Sequence, residues 1–114
     1  MKRAFPLAAV LFLAAILHAH ALVVSATPAP DGSIAGPDVT FQIRFNSRID
    51  GLRSRLSVIF PDRSIRALAI QQQASPTVLA AEAKGLAGGK YALRWQVLSA
   101  DGHITRGEFP FTVE

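Results

Sequence analysis

Strict two-residue alternation of apolar and polar side chains is the feature that most constrains the fold of this 114-residue chain. It runs through residues 39–45, returns from residue 91 and appears again from residue 109. This period is typical of strands with one buried and one solvent-exposed face. The predicted buried faces consist of Val39, Phe41, Ile43 and Phe45, then Tyr91, Leu93, Trp95 and Val97, and finally Phe109, Phe111 and Val113. Trp95 shares its face with other apolar residues, so we expect it in the core rather than on a binding surface.

Shorter apolar segments between turn residues predict the remaining strands. Residues 22–27 end at a turn rich in proline, aspartate and glycine, residues 56–70 form two short strands joined at Pro61–Asp62, and residues 77–83 form a further strand. The alanine-rich run 79–87 is also compatible with a helical turn, although the glycines that follow argue against a long helix. About seven short strands at roughly ten-residue spacing predict an all-β fold, an immunoglobulin-like Greek-key β-sandwich or barrel.

The first residues have the pattern of a secretory signal peptide. Two basic residues precede an apolar run from Ala4 to Leu17, and small residues follow at positions 19 and 21. The run is shorter than the ~20 residues that a membrane span needs, so a cleaved signal is favoured over a retained anchor. The small-residue rule alone slightly favours cleavage before Leu22. Cleavage after Ala19 would instead leave His20 as the N-terminal residue of the exported protein.

The composition excludes several classes of function. Of the formal net charge of +4, two units lie in the predicted signal, so the exported domain carries about +2, too little to argue for a nucleic-acid partner. Cysteine is absent, which removes disulfides and thiolate metal sites. Met1 is the only methionine, which removes a thioether site for Cu(I). Three arginines, at positions 48, 53 and 55, indicate a solvated rim, with an anion-binding or partner surface as the alternative.

Asp101 and His103 flank a glycine between the two strands that end the chain. An Asp-Gly pair in this position is first of all a hairpin signal, and in that interpretation His103 is merely exposed. However, a carboxylate and an imidazole two residues apart lie roughly 6.6 Å apart along an extended backbone, close enough to bind one metal ion. Two ligands alone hold a metal poorly, so a metal site requires further donors elsewhere in the chain.

His20 can supply those donors if it becomes the N-terminal residue. It then offers its imidazole and a free α-amine, whose ordinary pKa near ~8 lets a metal displace the proton at neutral pH. Together with Asp101 and His103 this gives three nitrogens and one oxygen. A planar set of this kind suits Cu(II), although Zn(II) would accept the same donors in a tetrahedron.

These residues lie within motifs that resemble the CopC family of periplasmic copper-resistance proteins. The motifs are HALVVSATPA from His20, GKYALRWQVLSADGH ending at His103, and GEFPFTV from Gly107. The resemblance implies a small Greek-key sandwich that carries or buffers Cu(II) without catalysing a reaction. Its implied ligands are the amine and imidazole of His20, with Asp101 and His103. It also implies a signal peptide at residues 1–19, a mature domain at residues 20–114, and a copper-handling membrane partner of the CopD type.

One departure from the family pattern concerns the residues after Phe45. Many relatives have Phe-Ser-Glu where this chain has Phe45-Asn46-Ser47, and the family glutamate is expected to hydrogen-bond near the copper ligands. Ser47 has no carboxylate, so copper binding is expected to be weaker here.

Two other functions are compatible with the sequence. If processing removes His20, a metal-free immunoglobulin-like interaction domain is expected. An N-terminal histidine chelate is also the metal site of lytic polysaccharide monooxygenases, but a sandwich of about 95 residues hardly has room for their flat substrate surface. No residue suggests a dimer interface, so a monomer is expected.

Overall fold

The structure, a computed structural model, describes residues 21–114 and is built almost entirely from β-strands. This part of the chain contains eight strands and one short 3-10 helix, Gly51–Arg53. The strands are β1 Val23–Thr27, β2 Ser33–Ile34, β3 Val39–Phe45, β4 Arg55–Ile59, β5 Ile65–Leu68, β6 Val78–Ala83, β7 Gly89–Leu98 and β8 Ile104–Val113. The predicted signal peptide and His20 lie outside the described residues. Between residues 21 and 114, no helix is long and apolar enough to cross a membrane.

The strands form two sheets that pack face to face. One sheet has the order β1-β3-β6 and the other the order β2-β8-β7-β4-β5. The chain passes from β1 to β2 in the second sheet and returns for β3. It crosses again between β3 and β4, returns between β5 and β6, and crosses a last time before β7. All neighbours are antiparallel except β2, which runs parallel to the end of β8. This arrangement confirms the predicted all-β, immunoglobulin-like Greek-key sandwich.

The core lies between the sheets and is made from the faces that the alternation predicted. Buried and exposed residues alternate strictly along β3, and all four predicted core residues are at most 2% exposed. Trp95 is 9% exposed and meets Phe45 edge-on at 5.5 Å between ring centroids. Phe111 packs edge-on against Phe41 and stacks on Tyr91, and both are arrangements that aromatic side chains commonly adopt in a core. Trp95 is therefore a core residue, as predicted.

Three local features differ from the sequence-based expectations or add to them. The first part of the alanine-rich run, residues 79–83, belongs to strand β6 and not to a helical turn, because these residues pair with β3. Strand β2 has only two residues, too few to show any alternation. The 3-10 helix begins after Asp50, whose side chain accepts hydrogen bonds from the backbone N–H groups of Leu52 and Arg53. The arginines at positions 48, 53 and 55 are exposed, as expected for a solvated rim.

The segment 46–50 leaves β3 and passes beside the hairpin between β7 and β8. Its backbone bonds to that hairpin at several points: the Asp50 N–H donates to the Leu98 carbonyl at 2.9 Å, and the Ala100 N–H donates to the Arg48 carbonyl at 3.0 Å. Ile49 and Ser99 form an isolated antiparallel bridge between the same two segments. The loop after β3 therefore fixes the position of the Asp-Gly-His turn.

Candidate metal centre

The connection between β7 and β8, residues 99–103, carries the predicted Asp101 and His103. The Ser99 N–H donates to the His103 carbonyl at 2.9 Å, which closes the connection at the ends of the two strands. Within it the Gly102 N–H donates to the Ser99 carbonyl at 2.9 Å. Gly102 has a φ of +90°, a left-handed conformation that favours glycine over residues with a Cβ. The Asp-Gly hairpin signal is therefore confirmed.

The turn brings the two predicted ligands into direct contact. Asp101 Oδ2 lies 3.2 Å from His103 Nδ1, and both side chains are about half exposed to solvent. The other carboxylate oxygen, Oδ1, accepts hydrogen bonds from the Ser99 hydroxyl and from the His103 N–H, the latter at 3.3 Å. The sequence argument relied on an extended backbone, whereas the residues meet because the backbone folds back on itself at the turn.

Hydrogen bonds within the turn favour the ionised form of the Asp101 carboxylate, which is the form that binds a cation. The hydrogen bond from Ser99, followed in importance by the hydrogen bonds from His103, lowers the pKa of Asp101 from its ordinary 3.8 to about 2. Hydrogen bonding to the ionised form favours that form, which is the direction seen here. Asp101 is consequently an anion at any pH near neutrality.

The contact between Asp101 and His103 has the dimensions of two donors on one metal ion. Donors about 2.0 to 2.1 Å from a common ion lie roughly 2.9 Å apart at a right angle and roughly 3.4 Å apart at a tetrahedral angle. The observed separation of 3.2 Å falls between these values. Both atoms therefore fit a shared ion with small adjustments, and the separation alone does not distinguish a square-planar from a tetrahedral ion.

The start of the described chain is held at the same end of the sandwich. Ala21 is 1% exposed and belongs to the hydrophobic core. Leu22 is clamped by Asn46 in both directions: the Leu22 N–H donates to Asn46 Oδ1 at 2.8 Å, and the Asn46 N–H donates to the Leu22 carbonyl at 2.9 Å. Asn46 begins the segment that also bonds to the Asp-Gly-His hairpin. The residues next to His20 and the Asp101–His103 pair are thus attached to one short stretch of backbone.

Ser47, which stands where the family resemblance implies a glutamate in many relatives, lies within this stretch. Its hydroxyl oxygen is buried and makes no hydrogen bond to any residue between 21 and 114. The serine therefore does not replace the carboxylate of those relatives, in charge or in hydrogen bonding to the described part of the site.

The structure brings together two of the three predicted ligands, Asp101 and His103, and the third, His20, lies outside the described residues. Within residues 21–114 no group of three or more histidine, cysteine, aspartate or glutamate side chains could hold a metal ion. Two further residues that shape the site were not assigned a role from the sequence. Ser99 binds Asp101 and Asn46 binds Leu22. A polar residue directly after an apolar strand was the available signal for both.

Comparisons with known proteins agree with this fold. A family model described as CopC domain matches residues 23–114. The fold is similar to the crystal structure of CopC from Methylosinus trichosporium OB3b, with a TM-score of 0.77 and 30% identity over 83% of this chain and 94% of that chain. It is also similar to the crystal structure of PcoC, a methionine-rich copper resistance protein from Escherichia coli, with a TM-score of 0.67 and 25% identity over 84% of this chain and 100% of that chain. A comparison with curated proteins finds no match.

Proposed function

Because the chain belongs to the CopC family, we propose that it binds Cu(II) in copper homeostasis or resistance, as a carrier or buffer without catalytic turnover. The family match and the two similar structures support a copper-resistance function. The observation that carries the proposal within this chain is the contact between Asp101 Oδ2 and His103 Nδ1 at 3.2 Å. An ionised carboxylate and an imidazole at this separation can bind one ion together.

The remaining proposed donors are the α-amine and imidazole of His20, released by cleavage after Ala19. Two observations support a mature chain that starts there and not at Leu22. Ala21 is buried in the core, so cleavage before Leu22 would remove a core side chain. Leu22 is clamped by Asn46, in the segment that also holds the Asp-Gly-His hairpin. Residue 20 is separated from this clamp by Ala21 alone, so we expect His20 to reach the pair.

The donor chemistry supports the oxidised ion. The proposed set contains three nitrogens and one carboxylate oxygen, and Cu(II) favours tetragonal nitrogen and oxygen surroundings. The similar Escherichia coli protein is described as methionine-rich, whereas the only methionine of this chain is Met1, in the proposed signal peptide. A thioether site of the kind that favours Cu(I) is therefore not part of the proposal. Export to the periplasm and a CopD-type membrane partner follow from the family resemblance and belong to the same proposal.

Two measurements on the exported protein test the proposal. Mass spectrometry of its N-terminus should give a chain that begins at His20. Titration with Cu(II) should then give one site per molecule, with an axial EPR spectrum and hyperfine splitting from nitrogen ligands. His20→Ala removes one imidazole but keeps the α-amine, and His103→Ala removes the other imidazole but keeps both N-terminal donors. Each variant loses one proposed ligand, so each should weaken Cu(II) binding and alter the spectrum. A chain that begins at Leu22, or a copper spectrum that is unchanged in His103→Ala, would refute the assignment.

A further inference from the structure

Ser99 is a buried polar residue at the base of the Asp-Gly-His turn. Only 5% of it is exposed, although it directly follows the last residue of β7 and its neighbours in the turn are exposed. Its backbone pairs with His103 on one side and forms the bridge with Ile49 on the other. Ser99 therefore has a fixed position, set by two separate segments of the chain.

The Ser99 hydroxyl points into the turn and acts on one oxygen of Asp101. It donates to Asp101 Oδ1 and lies 3.1 Å from the His103 carbonyl oxygen. The His103 N–H also donates to Oδ1, at 3.3 Å. Two donors thus face Oδ1, while Oδ2 is the oxygen that lies beside His103 Nδ1. The two oxygens of one carboxylate have different surroundings, and Ser99 is the side chain that distinguishes them.

We propose that Ser99 is a positioning residue of the copper site, which holds Asp101 so that the carboxylate binds the ion through Oδ2 alone. This inference rests on the proposed function. Turning both oxygens toward one ion would break the hydrogen bond from the fixed Ser99 hydroxyl. A carboxylate that donates a single oxygen suits a four-coordinate ion of nitrogen and oxygen ligands. It suits Ca²⁺ poorly, because that ion takes six to eight oxygens and often uses both oxygens of a carboxylate.

The orienting effect has a measurable size. Hydrogen-bonding partners that orient metal ligands commonly account for about 10 to 100-fold in metal affinity. In Ser99→Ala, Asp101 Oδ1 keeps only the longer hydrogen bond from the His103 N–H, at 3.3 Å, so the carboxylate is held less firmly and the dissociation constant for Cu(II) should rise by a factor in that range. The copper EPR spectrum should change as well, because the carboxylate geometry around the ion is no longer fixed. Ser99→Thr keeps the hydroxyl and should restore most of the affinity and the wild-type spectrum.

The chain provides a matched control in the turn between β4 and β5. There the Ser64 hydroxyl donates to Asp62 Oδ1 at 2.7 Å, the same kind of contact as between Ser99 and Asp101. The two turns lie at opposite ends of β7. Ile59, which precedes the β4–β5 turn, pairs with Ala92 near the start of β7, and the Asp-Gly-His turn follows the end of β7. Ser64→Ala removes a serine–aspartate hydrogen bond away from the site and should leave copper affinity and the spectrum unchanged.

The experiment compares the exported wild-type protein with these three variants by Cu(II) titration against a competing chelator, by EPR and by thermal unfolding without metal. A purely structural Ser99 would lower the melting temperature in Ser99→Ala while the folded variant kept wild-type affinity and spectrum, and that result overturns the inference. Should Ser99→Ala fail to fold, a crystal structure of the copper-loaded wild-type protein gives the second test, and a carboxylate that binds the ion through both oxygens would equally overturn the inference. A wild-type protein that binds no Cu(II) would instead refute the proposed function itself.

Discussion

Gly107 lies in β8 directly opposite Trp95 in β7, and the indole ring lies across it. A Cβ added at Gly107 would come within 2.3 Å of ring atom Cζ2 and within 2.8 Å of Cε2 and Cη2. Carbon atoms that are not bonded to each other pack best at about 3.5 to 4.0 Å, so Gly107→Ala forces the ring to move. The core contact between Trp95 and Phe45 leaves the ring little freedom to do so.

The magnitude of this effect follows from two opposing terms. Overpacking of a well-packed core typically costs about 1 to 3 kcal/mol. Replacing a strand glycine by alanine returns about 0.5 to 1 kcal/mol, because glycine loses more conformational entropy on folding. Gly107 has no positive φ, so no backbone strain is added. Because the added Cβ overlaps three atoms of one rigid ring, the overpacking cost lies in the upper part of its range, about 2 to 3 kcal/mol. We therefore expect Gly107→Ala to lower the free energy of unfolding by about 1 to 2.5 kcal/mol.

Trp95 is the only tryptophan in the sequence, so its fluorescence reports directly on the perturbed site. Urea unfolding followed by this emission should show a lower midpoint with an unchanged slope, and the emission of the folded variant should also shift. Gly88→Ala is the matched control, since the nearest atom to its added Cβ is at 3.5 Å, an ordinary contact. Its stability should stay within about 0.5 kcal/mol of wild type. A Gly107→Ala protein with wild-type stability and emission would show that the packing argument is wrong.

Two further predictions concern the site. Asn46→Ala removes the acceptor of the Leu22 N–H, so we expect faster hydrogen exchange at Leu22 and weaker Cu(II) binding. The free energy of unfolding should fall by about 0.5 to 1.5 kcal/mol. Asn46→Asp keeps an acceptor oxygen and should retain the slow exchange. Equal exchange at Leu22 in wild type and Asn46→Ala would contradict the clamp. The pKa of Asp101 is lowered to about 2 in the folded protein from 3.8, so its ionised form stabilises the fold above about pH 4, and this contribution is lost as the pH falls toward 2. In metal-free protein the stability difference between wild type and Asp101→Asn should therefore narrow between pH 4 and pH 2, and a difference that stays constant over that range would exclude this role of Asp101.

Much of the fold was predictable because a buried strand face leaves a direct mark on the sequence. The alternation in residues 39–45 corresponds to β3, and the alternation from residue 91 corresponds to β7. Strand β2 and the 3-10 helix could not be found in this way. Strand β2 depends on pairing with Thr112 and Val113, which are distant in sequence, and the helix has no buried residue. Elements of this kind are specified by tertiary contacts rather than by a local period.

For the candidate site, the sequence indicated the proposed ligand types but not the contacts that arrange them. Asp101 and His103 could be named because the Asp-Gly hairpin signal and the ligand chemistry coincide in three residues. Their separation of 3.2 Å depends on the turn and on Ser99. The attachment of Leu22 depends on Asn46, which is 24 residues away in sequence. No pattern within a single segment could reveal either contact.

Leu22 and the Asp-Gly-His turn are both attached to the segment 46–50, which would let a small sandwich without disulfides hold the proposed ligands from its two ends together. The segment binds Leu22 at its first residue, while Arg48, Ile49 and Asp50 bind the end of β7 and the turn that follows. Apart from the Asn46 side chain that accepts from the Leu22 N–H, these are backbone pairings, so their geometry does not depend on a bound ion. The Asp101–His103 pair and Leu22 are thus both attached to one short stretch of backbone. A substitution at Asn46 should release only the side of the site that contains Leu22, whereas one at Ser99 should affect only Asp101 and His103. Because the two sites of substitution share no direct contact, the effects of Asn46→Ala and Ser99→Ala on stability in the metal-free protein should add, while a bound ion that needs both halves would couple their effects on copper affinity.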